Sequence, residues 1–299
     1  MAHRSSHALT SPDRPVRQCR DILVRQLGGA VEELGGSKPN IHGARKQLKR
    51  ARATLRLLRP AIDDQSYRRE NVAARDGARP LSTARDEEVM NEALDGLLER
   101  FGAAASGVNT PQLRQSLHKG QRAKGSGLSA GQLNEIKAAL QRSTQRVRAW
   151  KLETEGWACI ASGLRATYRR ARHALRRARM QRATDDLHEW RKQTKYLWHQ
   201  LQILTPLAPG PVGELADEFH HLADYLGDEH DLAVLRGRLS GPVTDLIERR
   251  REELQDKAFA LGARLYTEKS KAFVHELQQH WNAWERRRSA RHQTAISAP

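Results

Sequence analysis

The sequence has no apolar run approaching the about 18 residues that a membrane-spanning helix needs, so no helical membrane span is expected. Cysteine occurs twice, at Cys19 and Cys159, which is too few for a disulfide scaffold. Both fall among apolar helical positions with no metal-knuckle neighbours, and burial as small residues is expected. Aromatic residues make up 5% of the chain, which argues against a single-stranded nucleic-acid binder that works by base stacking. The opening MAHRSSHALTSPDRP is basic without an apolar segment, so a secretory leader is not expected and a cytoplasmic protein is. No segment sustains the alternation and β-branched enrichment of a strand, whereas helical periodicity is nearly continuous; the class is all-α.

Acidic residues are missing from two long stretches, and their absence is the most informative. The chain carries 52 Lys+Arg against 35 Asp+Glu, a net charge of +17, and that excess is concentrated. Between Ser37 and Ile62 there is no Asp or Glu, and between Gly156 and Thr184 there is none either. In the first stretch Ile41, Ala44, Leu48, Ala51, Leu55 and Leu58 recur every three or four residues, the spacing of a buried helix edge. His42, Arg45, Lys46, Lys49, Arg52 and Arg56 form a parallel stripe about 100° around the same helix. Like charges one turn apart cost a few tenths of a kcal/mol per pair, so the stripe calls for solvent, counterions or a bound anion. In the second stretch Arg165, Arg169, Arg170, Arg172, Arg176, Arg177, Arg179 and Arg182 are all basic.

The basic helix is duplicated. IHGARKQLKRARATLRLLRP (41–60) and LHEWRKQTKYLWHQLQILTP (187–206) align without a gap, with eight identities in twenty columns. His42 matches His188, Arg45 matches Arg191, Lys46 matches Lys192, Gln47 matches Gln193, and Lys49 matches Lys195. Farther on, LSTARDEEVM (81–90) resembles LGDEHDLAVL (226–235), pairing Leu81 with Leu226, Asp86 with Asp231 and Val89 with Val234. The chain is therefore read as two related helical halves, 13–150 and 151–290, and not as a short-period solenoid. Helices are expected over 14–34, 38–59, 63–78, 82–101, 111–124, 130–152, 155–181, 184–205, 211–227, 229–238, 242–265 and 268–290, with frayed ends at 1–12 and 291–299. Short connections between helices of this length suggest two antiparallel four-helix bundles.

Few residues suggest catalysis. In GQRAKGSGLSAG (120–131), Ser126 stands where a phosphate-binding loop needs Lys, and no strand precedes the glycines; an interhelical loop is the expectation. His220, His221, His230 and Asp231 are near one another, but no paired metal-ligand spacing occurs, and no metal or other cofactor is expected. Asp86 and Asp231, at twin positions, could be general bases of a phosphoryl-processing enzyme. A carboxylate near a helix start that orients a neighbouring Arg or Lys is the stronger reading, with Asp228 and Glu229 in the same role. Trp150, Trp157, Trp190, Trp281 and Trp284 are read as packing residues.

These motifs resemble the CHAD domain, the conserved histidine α-helical domain. The resemblance rests on the duplicated H-x-x-R-K-x-x-K helix, on YRRARHALRRAR (168–179) running into LHEWRKQTKYLW (187–198), and on LGDEHDLAVL (226–235). It implies two pseudo-symmetric four-helix bundles around a central basic cavity or pore. It also implies non-catalytic binding of long-chain inorganic polyphosphate, with association to polyphosphate granules. The ligand-binding positions it implies are His42, Arg45, Lys46, Lys49, Arg52, Arg56, His188, Arg191, Lys192 and Lys195, with Tyr168, Arg169, Arg172 and Arg176 on the preceding helix. Tyr196 and Trp198 replace Arg50 and Arg52 of the first repeat, so the second site is expected to be less charged at that end. Some relatives carry a hydrolytic E-x-E-x-K barrel. Glu153-x-Glu155 lacks the Lys, with Trp157 in its place, so hydrolysis is not expected. The alternative for the same charge is a nucleic-acid-binding helical protein.

Overall fold

The structure is a computed structural model and describes residues 7–83, 86–102, 108–122 and 128–296, without the side chains at 82, 83, 86, 87, 119–122 and 291–296. The described residues form helices and no strands. In chain order these are α1 (Pro15–Glu33), α2 (Ile41–Leu57), α3 (Asp64–Ala78), α4 (Pro80–Thr83), α5 (Asp86–Phe101), α6 (Thr110–Arg122) and α7 (Ala130–Arg148). They are followed by α8 (Trp157–Gln181), α9 (Thr184–Leu204), α10 (Pro211–Arg236), α11 (Val243–Leu265) and α12 (Ser270–Ile296). None of them is long and apolar enough to cross a membrane.

Helix starts follow local chemistry. Asn40 caps α2 by accepting from the Gly43 amide at 2.9 Å, and Asp63 caps α3 through the Ser66 amide at 2.8 Å. Ser129 and Gln132 form a reciprocal capping box on α7. Glu155 reaches back to the first-turn amide of Val16, at 3.0 Å. The Glu-x-Glu pair thus contributes a helix cap.

Three expectations about the elements are corrected. Residues 211–236 form one helix where two were expected, because Gly227 lies buried inside α10 facing Arg191 and does not end it. Helix α12 continues to Ile296, so residues 291–296 are helical and not frayed. Leu9 lies within the supposedly frayed start, yet it is buried and its amide donates to the Ile203 carbonyl at 3.0 Å. The ends of the Gly-rich stretch fall in the expected helices, 120–122 in α6 and 130–131 in α7, and 123–127 lie outside the described residues.

Two apolar clusters organise the molecule. The larger joins Leu48, Leu55 and Leu58 of the first repeat to Leu187, Trp190, Leu197 and Leu201 of the second. Trp157 and Trp281 stack within it at 5.2 Å, Trp150 and Trp284 pack against it, and both cysteines are buried. The smaller packs α5 and α6 on α10 and α11 through Met90, Leu94, Leu117, Leu232, Leu235 and Leu254. Helices α2 and α9 touch directly. Buried Gln200 of α9 donates to the Ala53 carbonyl of α2 at 3.0 Å and to Thr167 of α8 at 3.1 Å. Helix α8 crosses the end of α2 so closely that a Cβ on Gly163 would lie 2.2 Å from the Leu57 carbonyl oxygen. Because the obstacle is backbone, Gly163→Ala is expected to destabilise the fold by about 3 kcal/mol, read by urea unfolding.

Candidate functional site

The apolar edges of α2 and α9 hold their cationic stripes beside each other, where two cavities meet at a shared wall. One cavity, of about 390 Å³, lies on the α10 side and takes His42, Arg45, Lys46 and Lys49 from α2. From α9 it takes Arg191, Lys195, Trp198 and His199. Helix α10 contributes His220, Asp224, His230, Asp231 and Val234, and α5 contributes Val89, Met90 and Glu92. The other, of about 310 Å³, lies on the α3 side and has Arg45, Lys49 and Arg52 from α2. It adds His188, Arg191, Lys192, Lys195, Tyr196 and His199 from α9, and Arg75, Ala78 and Arg79 from the α3 end. Arg45, Lys49, Arg191, Lys195 and His199 line both.

The repeat correspondence maps one lining onto the other. His42, Arg45, Lys46, Lys49 and Trp198 on the α10 side become His188, Arg191, Lys192, Lys195 and Arg52 on the α3 side. Val89 and Val234, also twins, both face the α10-side cavity. Both chambers carry more cations than carboxylates, but unequally. Glu92, Asp224 and Asp231 face the α10 side, whereas no carboxylate lines the α3 side among the described residues.

Crowded cations depress one another. Lys49 is open to water through the cavities yet surrounded by protein, and burial, then Lys195, Arg45 and Arg191, push it down to about 7. Burial followed by Arg191 lowers Lys195 to about 8, despite Asp224, Asp231 and Asp228 nearby. Burial and Arg191 take His230 to about 4, and burial takes His199 to about 3, with Arg50, Lys195 and Lys49 acting the same way. His188 is lowered by burial, Arg191 and Lys192, and its ring lies 4.5 Å from that of His230. Asp231 sits among Arg191, Lys195, Lys49 and Arg45, and burial raises it even so. The Nε of Arg191 is buried with no hydrogen-bond partner among the described residues, an unfilled donor of the kind a phosphate oxygen satisfies.

The structure separates the sequence-predicted residues. His42, Arg45, Lys46, Lys49, Arg52, His188, Arg191, Lys192, Lys195 and Asp231 all line one or both cavities. Lys192 is ion-paired with Glu189. Arg56 is drawn inward: its guanidinium lies 3.8 Å from the centre of the Tyr196 ring and donates to the Arg52 carbonyl at 2.7 Å. The α8 residues do not join the cavities. Tyr168 is fully buried, stacks on Phe273 at 4.1 Å and donates to the Leu265 and Glu268 carbonyls, so it is a core residue. Arg172 donates to the Tyr266 carbonyl at 3.0 Å, and Arg169 and Arg176 are exposed on another face. Asp86 opens α5, but its side chain lies outside the described residues. Glu229 is buried and binds Arg251 of α11 at 2.8 Å, not the basic helix as expected.

Residue-by-residue reading missed His199, Asp224 and the Arg75/Arg79 pair, and it named Trp198 and His220 without counting them among the ligand-binding positions. Trp198 stacks on His220 at 3.9 Å, and His220 pairs with Asp224 at 3.5 Å. The sequence does hold a signal for α10: His220, Asp224, Asp231 and Val234 fall at helical intervals on one stripe of the helix. Arg75 and Arg79 look like any exposed arginines. No group of three or more His, Cys, Asp or Glu side chains among the described residues is arranged to hold a metal ion.

A family model described as the CHAD domain matches residues 17–240. No curated protein matches the chain.

Proposed function

Because the chain belongs to the CHAD domain family, we propose that it binds long-chain inorganic polyphosphate, without catalysis, in a passage made by the two cavities. The family is associated with polyphosphate binding. The observation that carries the reading is the shared wall: Arg45, Lys49, Arg191 and Lys195, twins in two repeats, face both cavities. The two lysines are pushed far enough down that a polyanion would be needed to hold them fully charged at neutral pH. Arginine offers forked hydrogen bonds to phosphate oxygens, and lysine a movable point charge.

In this reading the repeats are related by a pseudo-twofold axis through the shared wall, and the polyanion crosses it. Asp231 holds the lysines and arginines in place between binding events. Association with polyphosphate granules follows from such binding. Competition at physiological salt tests the proposal. Long polyphosphate should displace a labelled polyphosphate at much lower phosphate concentration than duplex DNA, tRNA or ATP does, and affinity should fall steeply with salt. Equal displacement by nucleic acid at matched phosphate concentration would overturn it.

A further inference from the structure

The two chambers are twins in their basic stripes but not in the rest of their linings. Where the α3-side chamber has Arg52, the α10-side chamber has Trp198. His220 of α10 lies over the Trp198 ring at 3.9 Å with the two planes 14° apart, and His199 lies against it at 4.4 Å. Trp198 covers one face of His220, yet 42% of the His220 side chain is exposed, and it lines the chamber. Asp224 holds the imidazole by its edge, 3.5 Å from Nε2. A flat surface of this kind takes a further aromatic ring by stacking.

The second difference is the carboxylates. Glu92, Asp224 and Asp231 face this chamber, and past Val89, Glu92 and Asp231 it continues into a cavity of about 250 Å³ that Asp228 also lines. A carboxylate repels a phosphate. It is a good acceptor for hydroxyl groups, as where an acidic side chain takes up the hydroxyls of a ribose. The chamber therefore combines three chemistries: cations on α2 and α9, stacked rings, and hydroxyl acceptors on α5 and α10. Arg191, Lys195 and Trp198 share one face of α9 over two turns, about 10 Å, so one extended ligand can meet both the cations and the rings.

We propose that the α10-side chamber is a nucleotide subsite. It takes a nucleoside oligophosphate with the base on the Trp198–His220 stack, the ribose hydroxyls toward the carboxylates and the phosphates on the shared wall. The placement of the phosphates rests on the reading above, whereas the rings and the carboxylates are independent of it. A volume of about 390 Å³ is in the range of small-molecule sites. One platform serves one base; a nucleic-acid strand held by stacking needs several in succession. Long polyphosphate fills both chambers and so outcompetes a nucleotide that fills one, and the two ligands exclude each other at the wall.

Calorimetry on the full chain compares ATP with tripolyphosphate, which has the same three phosphates without the nucleoside. ATP should bind about tenfold more tightly, the scale of one stacked base, and long-chain polyphosphate should displace it. His220→Ala and Trp198→Leu, each matched to the parent in helicity by circular dichroism, should lose the preference for ATP and keep their affinity for tripolyphosphate. Equal or weaker binding of ATP than of tripolyphosphate by the unmodified protein would overturn the subsite, and that comparison depends on no variant. A preference that survives both substitutions would overturn it too. So would a matching loss of tripolyphosphate affinity, which would make the rings mere supports of the wall. If ATP binds and neither phosphate chain does, the polyphosphate reading falls and the nucleotide subsite stands; failure of all three to bind overturns both.

Discussion

Replacing Arg45, Lys49, Arg191 and Lys195 together by alanine is expected to reduce polyphosphate affinity by a hundredfold or more and to leave the helices in place. All four line both cavities, so their removal empties the shared wall of charge. The salt slope should drop by about 3 to 4, by analogy with other phosphate polymers. Folding should survive for a reason visible in the electrostatics. Burial and mutual repulsion depress Lys49 and Lys195, so the charged forms of both oppose the folded state. The thermal midpoint of the variant without ligand should therefore equal or exceed that of the parent. Calorimetry with and without polyphosphate reads both effects. A variant that unfolds would show that these residues are structural, and one that still binds tightly would place the ligand elsewhere.

Polyphosphate affinity is expected to fall as pH rises from 6 to 9, with protons taken up on binding. In the free protein Lys49 loses its charge around pH 7 and Lys195 around pH 8. A polyanion in the cavities favours the charged forms and raises both values again. Across this window each proton taken up changes affinity by a factor approaching ten per pH unit. The free protein moves the other way. A lysine whose folded value lies below its unfolded one, 10.5, penalises folding fully below the folded value. The penalty is relieved as pH climbs toward the unfolded value. Ligand-free stability from these two groups should thus rise over the range in which affinity declines. Titration calorimetry in buffers of different ionisation enthalpy counts the protons. Affinity independent of pH between 6 and 9, with no proton uptake, would show that the lysines do not meet the ligand.

Much of the lining of the two cavities could be read before any fold was known, because a duplicated motif is its own control. A cationic stripe on one helix is compatible with a solvated face; the same H-x-x-R-K-Q-x-K spacing in 41–60 and 187–206 is harder to treat as incidental. Ten of the residues inferred from motif positions line the cavities, including both twin histidines and Asp231. The α8 residues misled because an acid-free run looks the same whether it lines a cavity or faces solvent. Tyr168 sits in such a run and is nonetheless core, since its ring packs on Phe273 while its hydroxyl finds backbone carbonyls. Replacing Arg50 by Tyr196 could be read only as lost charge. In the fold the ring receives Arg56 at 3.8 Å and couples the two repeats.

Helical periodicity, the repeat and the separation of cationic from apolar edges are properties of a chain read one turn at a time, so the sequence alone determined the all-α class and the two basic helices. Which faces those helices turn toward each other depends on contacts between residues more than a hundred positions apart, such as Gln200 with the Ala53 carbonyl and Gly163 beneath Leu57. Only the tertiary structure therefore decided that the stripes share a wall, that α10 and α5 bring carboxylates to one side of it, and that the α8 arginines lie outside. Charge spacing along a helix is local, whereas the field inside a cavity is a sum over every element that closes it.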